Sequence, residues 1–486
     1  MPNSVYFLLA TAALIVGYVI YGTLVAKIFG ENPDRKPPAI TKADGVDFVA
    51  MPTWKVWLVQ LLNIAGVGPV FGPILGALYG PYALIWIVIG SIFAGAVHDY
   101  MAGMLSVRYG GCNLPVIVGN TLGNVAKQLM RVFAVVLLVL VGVVFAKAPA
   151  LLLAKMTPDY LDFNVWLCII FGYYFIATIM PIDKIIGRLY PVFGAVLLIM
   201  AFGMTLMMFL NSDVTFYNSA EWVNQHPKHL PLYPLVFITI ACGALSGFHS
   251  TQSPLMARCL NNERHGRSVF YGAMIAEGFI GLVWATVGMS FYHGPDALAA
   301  ALAQGGPAHV VSESAMALMG SFGGILAILG VVALPVTSGD TAFRAARLTI
   351  AEVFNFSQRP IPSRLVLAIP VFAVGIILSQ VGFDTIWNYF GWSNQSLATI
   401  VLWAGAVYLA SHKRLHWICT IPAVFMTAVC TTFICFDPKL GFGISIGTSN
   451  IIGLVVAILC FVAFMLKGTK TTVLPDSDPN AELKAN

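Results

Sequence analysis

Long apolar runs recur along this chain from Val5 to Leu466, and no other feature limits its possible folds as strongly. A helix that crosses a bilayer needs about 20 apolar residues. Thirteen segments come near that length, at positions 4–28, 55–80, 82–107, 129–154, 163–181, 190–210, 234–257, 268–292, 320–343, 363–382, 387–410, 415–436 and 446–466. The lipid interior offers the backbone no hydrogen-bonding partner, so such runs must be helical. The sequence therefore predicts an all-α, polytopic integral membrane protein of about 13 transmembrane helices.

The charged residues indicate the orientation of these helices. They make up only 10% of the chain, whereas a soluble domain contains about 25%. With the N-terminus outside, 22 of the 26 Lys and Arg residues lie on one side of the membrane, and the other side holds Lys147, Lys155, Lys228 and Lys439. Positive charge concentrates on the cytoplasmic side. We therefore predict an N-terminus outside the cell membrane and a cytoplasmic C-terminus, and no binding of nucleic acid.

The spacing of the apolar runs divides the chain into five parts. Residues 1–54 hold one extra helix and a cytoplasmic loop, 55–211 and 234–410 hold five helices each, 411–467 hold two more, and 468–486 form a polar tail predicted to be disordered. The eight cysteines form no Cys-x-x-Cys pair, which predicts neither a metal site nor another cofactor. The expected partners are the lipid bilayer and a small-molecule substrate.

The two groups of five helices share a short glycine-rich repeat. Asn63–Pro73 and Thr239–His249 both contain an Ile-Ala pair before a glycine-rich centre, at an offset of 176 residues. Five predicted spans separate them, and an odd number inverts orientation in the membrane. Interrupted apolar segments at matching positions of two inverted halves point to the binding site of a transporter. The alternative is a pair of kinked helices whose glycines allow close packing.

A helix broken inside the bilayer would expose backbone groups to a ligand. The N–H end of a half-helix attracts carboxylates, and the C=O end can hold a cation. Pro69 and Pro73 prevent a regular helix in the first segment. The residues predicted to supply substrate-binding backbone are Gly66, Gly68, Gly72, Gly243, Ser246 and Gly247.

Polar side chains at membrane depth are the second group of candidates, because burying them in lipid is costly. Substrate contacts are predicted for His249, Gln252 and Asn394. Ion or proton coupling is predicted for His98, Asp99, Glu277, Thr337, Ser338 and Asp340, where the carboxylates and histidines suit a proton and the hydroxyls suit Na⁺. Glu277 lies near the repeat equivalent of Asp99, since 99 + 176 = 275.

Each of these side chains also has a structural interpretation. Asp340 could pair with Arg344 one helical turn later. Glu277 could make a packing hydrogen bond, and His249 could be a satisfied core histidine. His98 and Asp99 are adjacent, and adjacent residues on a helix point about 100° apart. We therefore expect only one of them to face a pathway unless the helix is distorted.

Four sequence blocks resemble the carbon starvation protein A family. They are Asp44–Val49, Ile64–Pro73 continuing to Gly95–Asp99, Phe237–His249, and Asp340–Arg347, with a weaker fifth at Phe390–Gln395. The chain differs from the long members in being shorter and in having His98 where those members have Gln. Asp99, His249 and Asp340 match family positions.

The resemblance implies an importer in the cytoplasmic membrane, with a fold of the amino acid–polyamine–organocation or LeuT type built from two inverted five-helix repeats. It further implies transport of peptides or pyruvate during carbon starvation. The leading hypothesis is therefore a secondary active transporter of a small carboxylate-bearing nutrient, with H⁺ rather than Na⁺ as the coupling ion and no other cofactor. The alternatives are an intramembrane enzyme or a nutrient sensor that uses His98 or His249.

Overall fold

The structure is a computed structural model that describes residues 4–180, 186–211, 214–216, 222–381, 383–473 and 476. All regular secondary structure in these ranges is helical, which confirms the all-α prediction. Eight of the described helices are long and apolar enough to span a membrane, or nine if one bent pair is counted as a span. The predicted count of 13 is therefore not confirmed.

The helices follow the predicted order of apolar segments. The first half contains α1 (Ser4–Phe29), α2 (Thr53–Ile64), α3 (Gly68–Tyr79), α4 (Tyr82–Arg108), α5 (Leu114–Leu122), α6 (Asn124–Met156), α7 (Phe163–Ile179) and α8 (Ile186–Leu210). The second half contains α9 (Leu232–Thr239), α10 (His249–Ala257), α11 (Glu263–Ser290), α12 (Pro295–Phe354), α13 (Ile361–Leu378), α14 (Phe383–Ser411), α15 (Trp417–Phe436) and α16 (Ile446–Leu466). One helical turn, Pro38–Thr41, lies between α1 and α2.

Short helices account for part of the difference between these eight or nine helices and the 13 predicted spans. α9 and α10 have eight and nine residues, and α7 has 17. Each is shorter than the roughly 20 residues that a span requires. α12 has non-helical backbone angles at Gly305, Gly306 and Gly320, so it consists of successive pieces.

Burial separates central helices from peripheral ones. In the most apolar stretches of α4 and α11, 72% and 83% of the residues are buried. The corresponding value is only 22% in both α1 and α16, whose outward faces carry large apolar side chains such as Leu9, Ile20, Ile451 and Leu459. An apolar surface of this kind is stable against lipid. α4 and α11 therefore form the centre of the bundle, against which the broken helices pack.

The first residues of the predicted tail, 468–486, contact the helical bundle. Gly468–Lys470 form a helical turn, and Val473 is buried. Asp476 accepts hydrogen bonds from Arg35 Nη1 at 2.7 Å and from Arg108 Nη1 at 2.8 Å. These two guanidinium groups lower the pKa of Asp476 although burial alone would raise it. Residues 474–475 and 477–486 lie outside the described part of the chain.

Candidate functional site

Each half of the chain contains a helix that is interrupted at the glycine-rich repeat. α2 ends at Ile64 and α3 begins at Gly68, with an angle of 50° between the two pieces. α9 ends at Thr239 and α10 begins at His249. We call residues 65–67 the first break and residues 240–248 the second break. Both interruptions lie where the glycine-rich repeat predicts them.

The start of α3, which follows the first break, is in direct contact with the second break and the end of α9. A Cβ added to Gly68 would lie 2.3 Å from Cys242 Sγ, and one added to Gly72 would lie 3.0 Å from the Thr239 carbonyl oxygen. Real Cβ atoms do not approach as closely as the first of these distances. In this conformation Gly68 and Gly72 therefore allow close packing between the halves, which is the alternative that the sequence left open.

Side chains of α4 bind the carbonyl groups that the second break leaves without helical partners. Trp86 Nε1 donates to the Ile240 oxygen at 3.0 Å, and Ser91 Oγ donates to the Gly243 oxygen at 2.9 Å. Gly243 has φ of +87°, a left-handed conformation that glycine adopts at little cost. The unwound backbone is thus held by hydrogen bonds rather than left unsatisfied.

Asn394 on α14 occupies the N-terminal end of α10. Its Oδ1 accepts from the Phe248 N–H at 2.6 Å, and its Nδ2 donates to Ser246 Oγ at 3.0 Å. The Gly247 N–H donates to the Asn394 carbonyl oxygen at 3.2 Å. The predicted substrate contact Asn394 therefore takes the place where a carboxylate would bind a helix N-terminus.

Four buried titratable side chains form a continuous cluster beside the second break. We call it the central network, and it consists of His98 and Asp99 on α4, His249 on α10 and Glu277 on α11. Asp99 bridges the two imidazoles, at 2.7 Å from His98 Nδ1 and 2.9 Å from His249 Nδ1. His249 Nε2 lies 3.5 Å from a Glu277 oxygen. All four side chains have no exposed surface.

His98 and Asp99 do not diverge as the sequence geometry suggests. The Asp99 carboxylate has two oxygens, and it turns one of them back toward the neighbouring imidazole while the other reaches α10. The residues just before them, Ser91–Gly95, form a π-helical turn that changes the helical register. Both members of the pair therefore belong to one network.

Several atoms of buried polar side chains near the breaks have no hydrogen-bonding partner among the described residues. Within the central network they are His98 Nε2, His249 Nε2 and both oxygens of Glu277. Around the breaks they are both amide atoms of Asn63, Gln60 Oε1 and Gln252 Oε1. Leaving a buried polar atom unpaired is costly, so such atoms indicate a place where a polar ligand or a proton is accommodated.

Ser338 and Asp340 lie apart from the central network. Ser338 Oγ donates to the Leu62 oxygen at 2.9 Å, and a Cβ added to Gly66 would lie 3.1 Å from the same hydroxyl. Ser338 and its buried neighbour Thr337 therefore belong to the first break. The Asp340 carbonyl oxygen accepts from Thr178 Oγ1 on α7 at 3.4 Å.

Arg344 pairs with Asp47 rather than serving as the partner that the sequence suggested for Asp340. Arg344 Nη1 donates to Asp47 Oδ1 at 3.0 Å, and its Nη2 donates to the carbonyl oxygens of Ala177 and Met180. Asp47 lies in the loop before α2, a position far from Arg344 in the sequence. Tertiary packing therefore determines the partner of Arg344, which helical spacing alone could not identify.

Sequence reasoning missed four residues of this region: Asn63, Trp86, Ser91 and Cys242. Cys242 offers its sulfur atom within 4.8 Å of one ligand-type atom each of His249 and Glu277, a group of three that could hold a metal ion. Trp86 and Ser91 could not be recognised because each resembles an ordinary residue of an apolar helix. Asn63 and Cys242 were visible within the repeat but carried no pattern typical of a ligand.

Comparison with known proteins gives one matching family and several transporters. The family model described as carbon starvation protein CstA matches residues 3–160, 152–294 and 285–433. An uncharacterized membrane protein of Haemophilus influenzae is 46% identical over 350 residues, covering 62% of this chain and 94% of that protein. The peptide transporter CstA of Escherichia coli K12 is 24% identical over 570 residues, covering 88% and 80%. The pyruvate/proton symporter BtsT of the same organism is 24% identical over 347 residues, covering 58% and 48%.

One solved structure has the same fold. Mhp1, a nucleobase-cation-symport-1 family transporter in a closed conformation with bromovinylhydantoin bound, superposes with a TM-score of 0.56 and 15% identity. The superposition covers 93% of this chain and 99% of Mhp1. This likeness supports the predicted LeuT-like helical architecture, and at this identity it concerns the fold alone.

Proposed function

The chain belongs to the carbon starvation protein CstA family, and from this premise we propose that it imports a small carboxylate-bearing nutrient together with protons. Its named relatives are a peptide transporter and a pyruvate/proton symporter. The chain is therefore a membrane transporter rather than an intramembrane enzyme. Peptides and pyruvate share a carboxylate, and that group defines the proposed substrate class.

The observation that carries the proposal is the position of the central network at the second break. Asp99 lies on α4 in the first half, whereas His249 is the first residue of α10 in the second half. Their hydrogen bond of 2.9 Å connects the two halves directly. A buried carboxylate–imidazole–carboxylate series can accept and pass a proton. Its protonation therefore acts on the contact that must change when the halves move relative to each other.

Proton binding would change the forces across this contact in a definite direction. With Asp99 and Glu277 ionised and His249 protonated, opposite charges hold α4, α10 and α11 together. Neutralising one of the carboxylates removes part of this attraction, and low polarity around the site makes the change large. Proton entry from outside and release inside can thus be coupled to opening on alternate sides.

The N-terminal end of α10 is the proposed site of the substrate carboxylate. Asn394 Oδ1 now accepts from the Phe248 N–H, and a carboxylate oxygen has the same acceptor chemistry with a stronger attraction to the helix end. Gly247 and Ser246 lie beside it and would provide further donors. The unpaired amide atoms of Asn63 and Gln252 would contact the polar remainder of the substrate.

The coupling ion has a second candidate site at the first break. Ser338 Oγ and the Leu62 oxygen are neighbours there, and hydroxyl and carbonyl oxygens suit Na⁺. We favour H⁺ because the central network offers four titratable groups in continuous contact. In the same proposal the transporter lies in the cell membrane with its N-terminus outside, and it serves uptake when preferred carbon sources run out.

Uptake by the purified full-length protein in proteoliposomes tests this proposal. Labelled pyruvate and labelled dipeptides are offered separately under an imposed pH gradient or an imposed Na⁺ gradient. We expect a pH gradient, acidic outside, to drive uphill accumulation of one of them. Accumulation driven only by Na⁺ would contradict proton coupling, and absence of flux for every carboxylate would favour a nutrient sensor.

Glu277→Gln tests the role of the central network. Because the amide cannot release a proton, we expect loss of uphill accumulation by at least about tenfold, while exchange of labelled for unlabelled substrate without a gradient persists. Glu313→Gln is the matched control. Glu313 lies on α12, does not belong to the central network, and has a side chain that is 46% exposed. Uphill accumulation that survives in Glu277→Gln would exclude this carboxylate from coupling.

Asp340 remains a separate coupling candidate. Asp340→Asn is expected to abolish proton-coupled accumulation while leaving expression unchanged, because the amide keeps the size of this buried side chain but cannot release a proton. Uptake against a pH gradient is compared with the amount of protein in the membrane. Undiminished uphill uptake by this variant would remove Asp340 from the mechanism.

A further inference from the structure

A second buried charge cluster contains Asp47, Arg258, Arg344 and Arg347. We call it the arginine cluster. Asp47 is its single buried carboxylate, with Oδ1 at 3.0 Å from Arg344 Nη1 and Oδ2 at 3.4 Å from Arg347 Nη2. Asp47, Arg344 and Arg347 are exposed by only 2%, 1% and 0%. Burial alone would raise the pKa of Asp47, but the neighbouring guanidinium groups hold it below its usual value. Asp47 is therefore an ionised carboxylate enclosed by arginines.

The positive charge of this cluster exceeds its negative charge. Arg344 also donates to two backbone carbonyls, and Arg258 donates to the Gly111 oxygen and to Asn113 Oδ1. Arg347 differs from them, because its Nε and Nη1 have no hydrogen-bonding partner in the part of the chain that the structure describes. A fully buried guanidinium with two unused donors is costly. A planar anion with two oxygens, such as a carboxylate, could accept hydrogen bonds from both donor atoms of this guanidinium group.

A cavity of about 860 Å³ adjoins this cluster. The charged residues of its wall are three basic ones and three acidic ones: Lys42, Arg258, Arg359, Asp44, Asp47 and Glu352. Small-molecule sites commonly have volumes of about 300–1,000 Å³, so pyruvate or a short peptide would fit. Asp47 belongs both to the cavity wall and to the arginine cluster, whereas Arg344 and Arg347 are not among the residues that line the cavity.

The loop that carries Asp47 is tied to both broken helices. Asp44 Oδ1 accepts from the N–H groups of Val46, Asp47 and Phe48, which fixes the loop conformation. The same loop leads directly into α2, and the Met51 N–H donates to the Cys259 oxygen just after α10. Movement of either broken helix would therefore displace Asp47 from its arginines.

We propose that Arg344 and Arg347 form a carboxylate-binding subsite, which the side chain of Asp47 fills until a substrate carboxylate replaces it during release. This inference rests on the carboxylate-bearing substrate proposed above. The orientation proposed there places the cavity on the cytoplasmic side. Asp47 thus keeps the subsite closed to other anions while no substrate is leaving.

Replacement of the missing carboxylate by a small anion tests the subsite. Asp47→Ala vacates the space between the arginines, and the full-length variant is purified in detergent and titrated with sodium acetate. We expect acetate to raise its thermal midpoint saturably, by about 3 °C, and to leave the wild type nearly unchanged. Sodium chloride at equal ionic strength controls for screening. Where Asp47→Ala does not fold, Asp47→Ser, which also vacates most of the space but keeps a polar group there, takes its place.

Two further arms identify the residues and the ligand. Adding Arg347→Gln to Asp47→Ala is expected to abolish the acetate effect. Adding Arg131→Gln should leave it intact, because Arg131 lies near the start of α6 and makes an exposed hydrogen bond to Gln128. Pyruvate and glycylglycine should act like acetate. An equal effect of phosphate, an effect seen only with anionic lipid vesicles, or no effect of acetate would overturn the subsite. Because the thermal midpoint requires no transport, failure here is distinguishable from failure of proton-coupled uptake.

Discussion

The first break interrupts its helix over residues 65–67, whereas the second extends over residues 240–248. In the first, Ser338 Oγ binds the Leu62 oxygen at 2.9 Å. The second receives Trp86, Ser91 and Asn394 from two other helices. The short break requires few stabilising contacts beyond its own Gly and Pro residues, because few of its backbone groups lose their hydrogen-bonding partners. The long break is stable only because other helices supply those partners, so it connects protonatable groups of α4 and α11 to the backbone.

The largest expected effect in this comparison is that of Gly247→Ala in the second break. Its Cβ would lie 2.1 Å from the Asn394 oxygen and 2.5 Å from the Ala398 nitrogen, both backbone atoms of α14. Backbone atoms of a packed helix cannot withdraw, so we expect destabilisation on the order of 3 kcal/mol and loss of transport. Thermal unfolding of the purified variant measures the effect. A thermal midpoint equal to that of the wild type would show that α14 does not pack against the second break in this way.

Gly68→Ala at the start of α3, immediately after the first break, is expected to be harmful but repairable. Its Cβ would lie 2.3 Å from both side-chain atoms of Cys242, whereas the Cys242 Cα would be 3.8 Å away. The single substitution should cost about 1–3 kcal/mol. Combining it with Cys242→Gly removes the clashing atoms and should restore much of the loss in a double-mutant cycle. If the two changes were simply additive, the contact between α3 and the second break would be disproved.

Asn394→Ala should weaken the second break by a smaller amount. The Phe248 N–H would lose its acceptor at 2.6 Å, and Ser246 Oγ would lose its donor at 3.0 Å. Loss of a side chain that caps a helix N-terminus costs about 1–2 kcal/mol. We also expect weaker substrate binding, visible as a raised KM for uptake. Asn394→Asp, which keeps the acceptor, is the control and should retain more stability than the alanine variant.

The smallest effects are expected from the hydroxyl groups that bind the break carbonyls. Ser91→Ala leaves the Gly243 oxygen without its donor at 2.9 Å, at a cost of about 1 kcal/mol. Ser338→Ala does the same to the Leu62 oxygen. Because Ser91 contacts the break that carries the central network, its loss should reduce accumulation under a pH gradient more than that of Ser338. The opposite order would indicate coupling at the first break.

The existence and positions of both breaks could be predicted from sequence, because Gly and Pro act locally on the backbone. Asp99, His249 and Glu277 could likewise be identified, since ionisable residues are rare in apolar segments. The roles of Trp86, Ser91 and Cys242 could not, because their contacts depend on how distant helices pack. His98 is also a candidate from sequence, but its contact with Asp99 depends on side-chain rotation, which sequence spacing does not reveal.

The sequence alone determined that this chain is a helical membrane protein with two interrupted helices in its two halves. Apolar length and the local preferences of Gly and Pro decide those properties within single segments. Only the tertiary structure decided that Asp99 bridges two imidazoles, that Asn394 binds the N-terminal end of α10 and that Arg344 pairs with Asp47. Apart from the adjacent His98, those partners are separated by well over one hundred residues in sequence. Their pairing is set by helix packing, which brings together groups whose burial without a partner would be too costly.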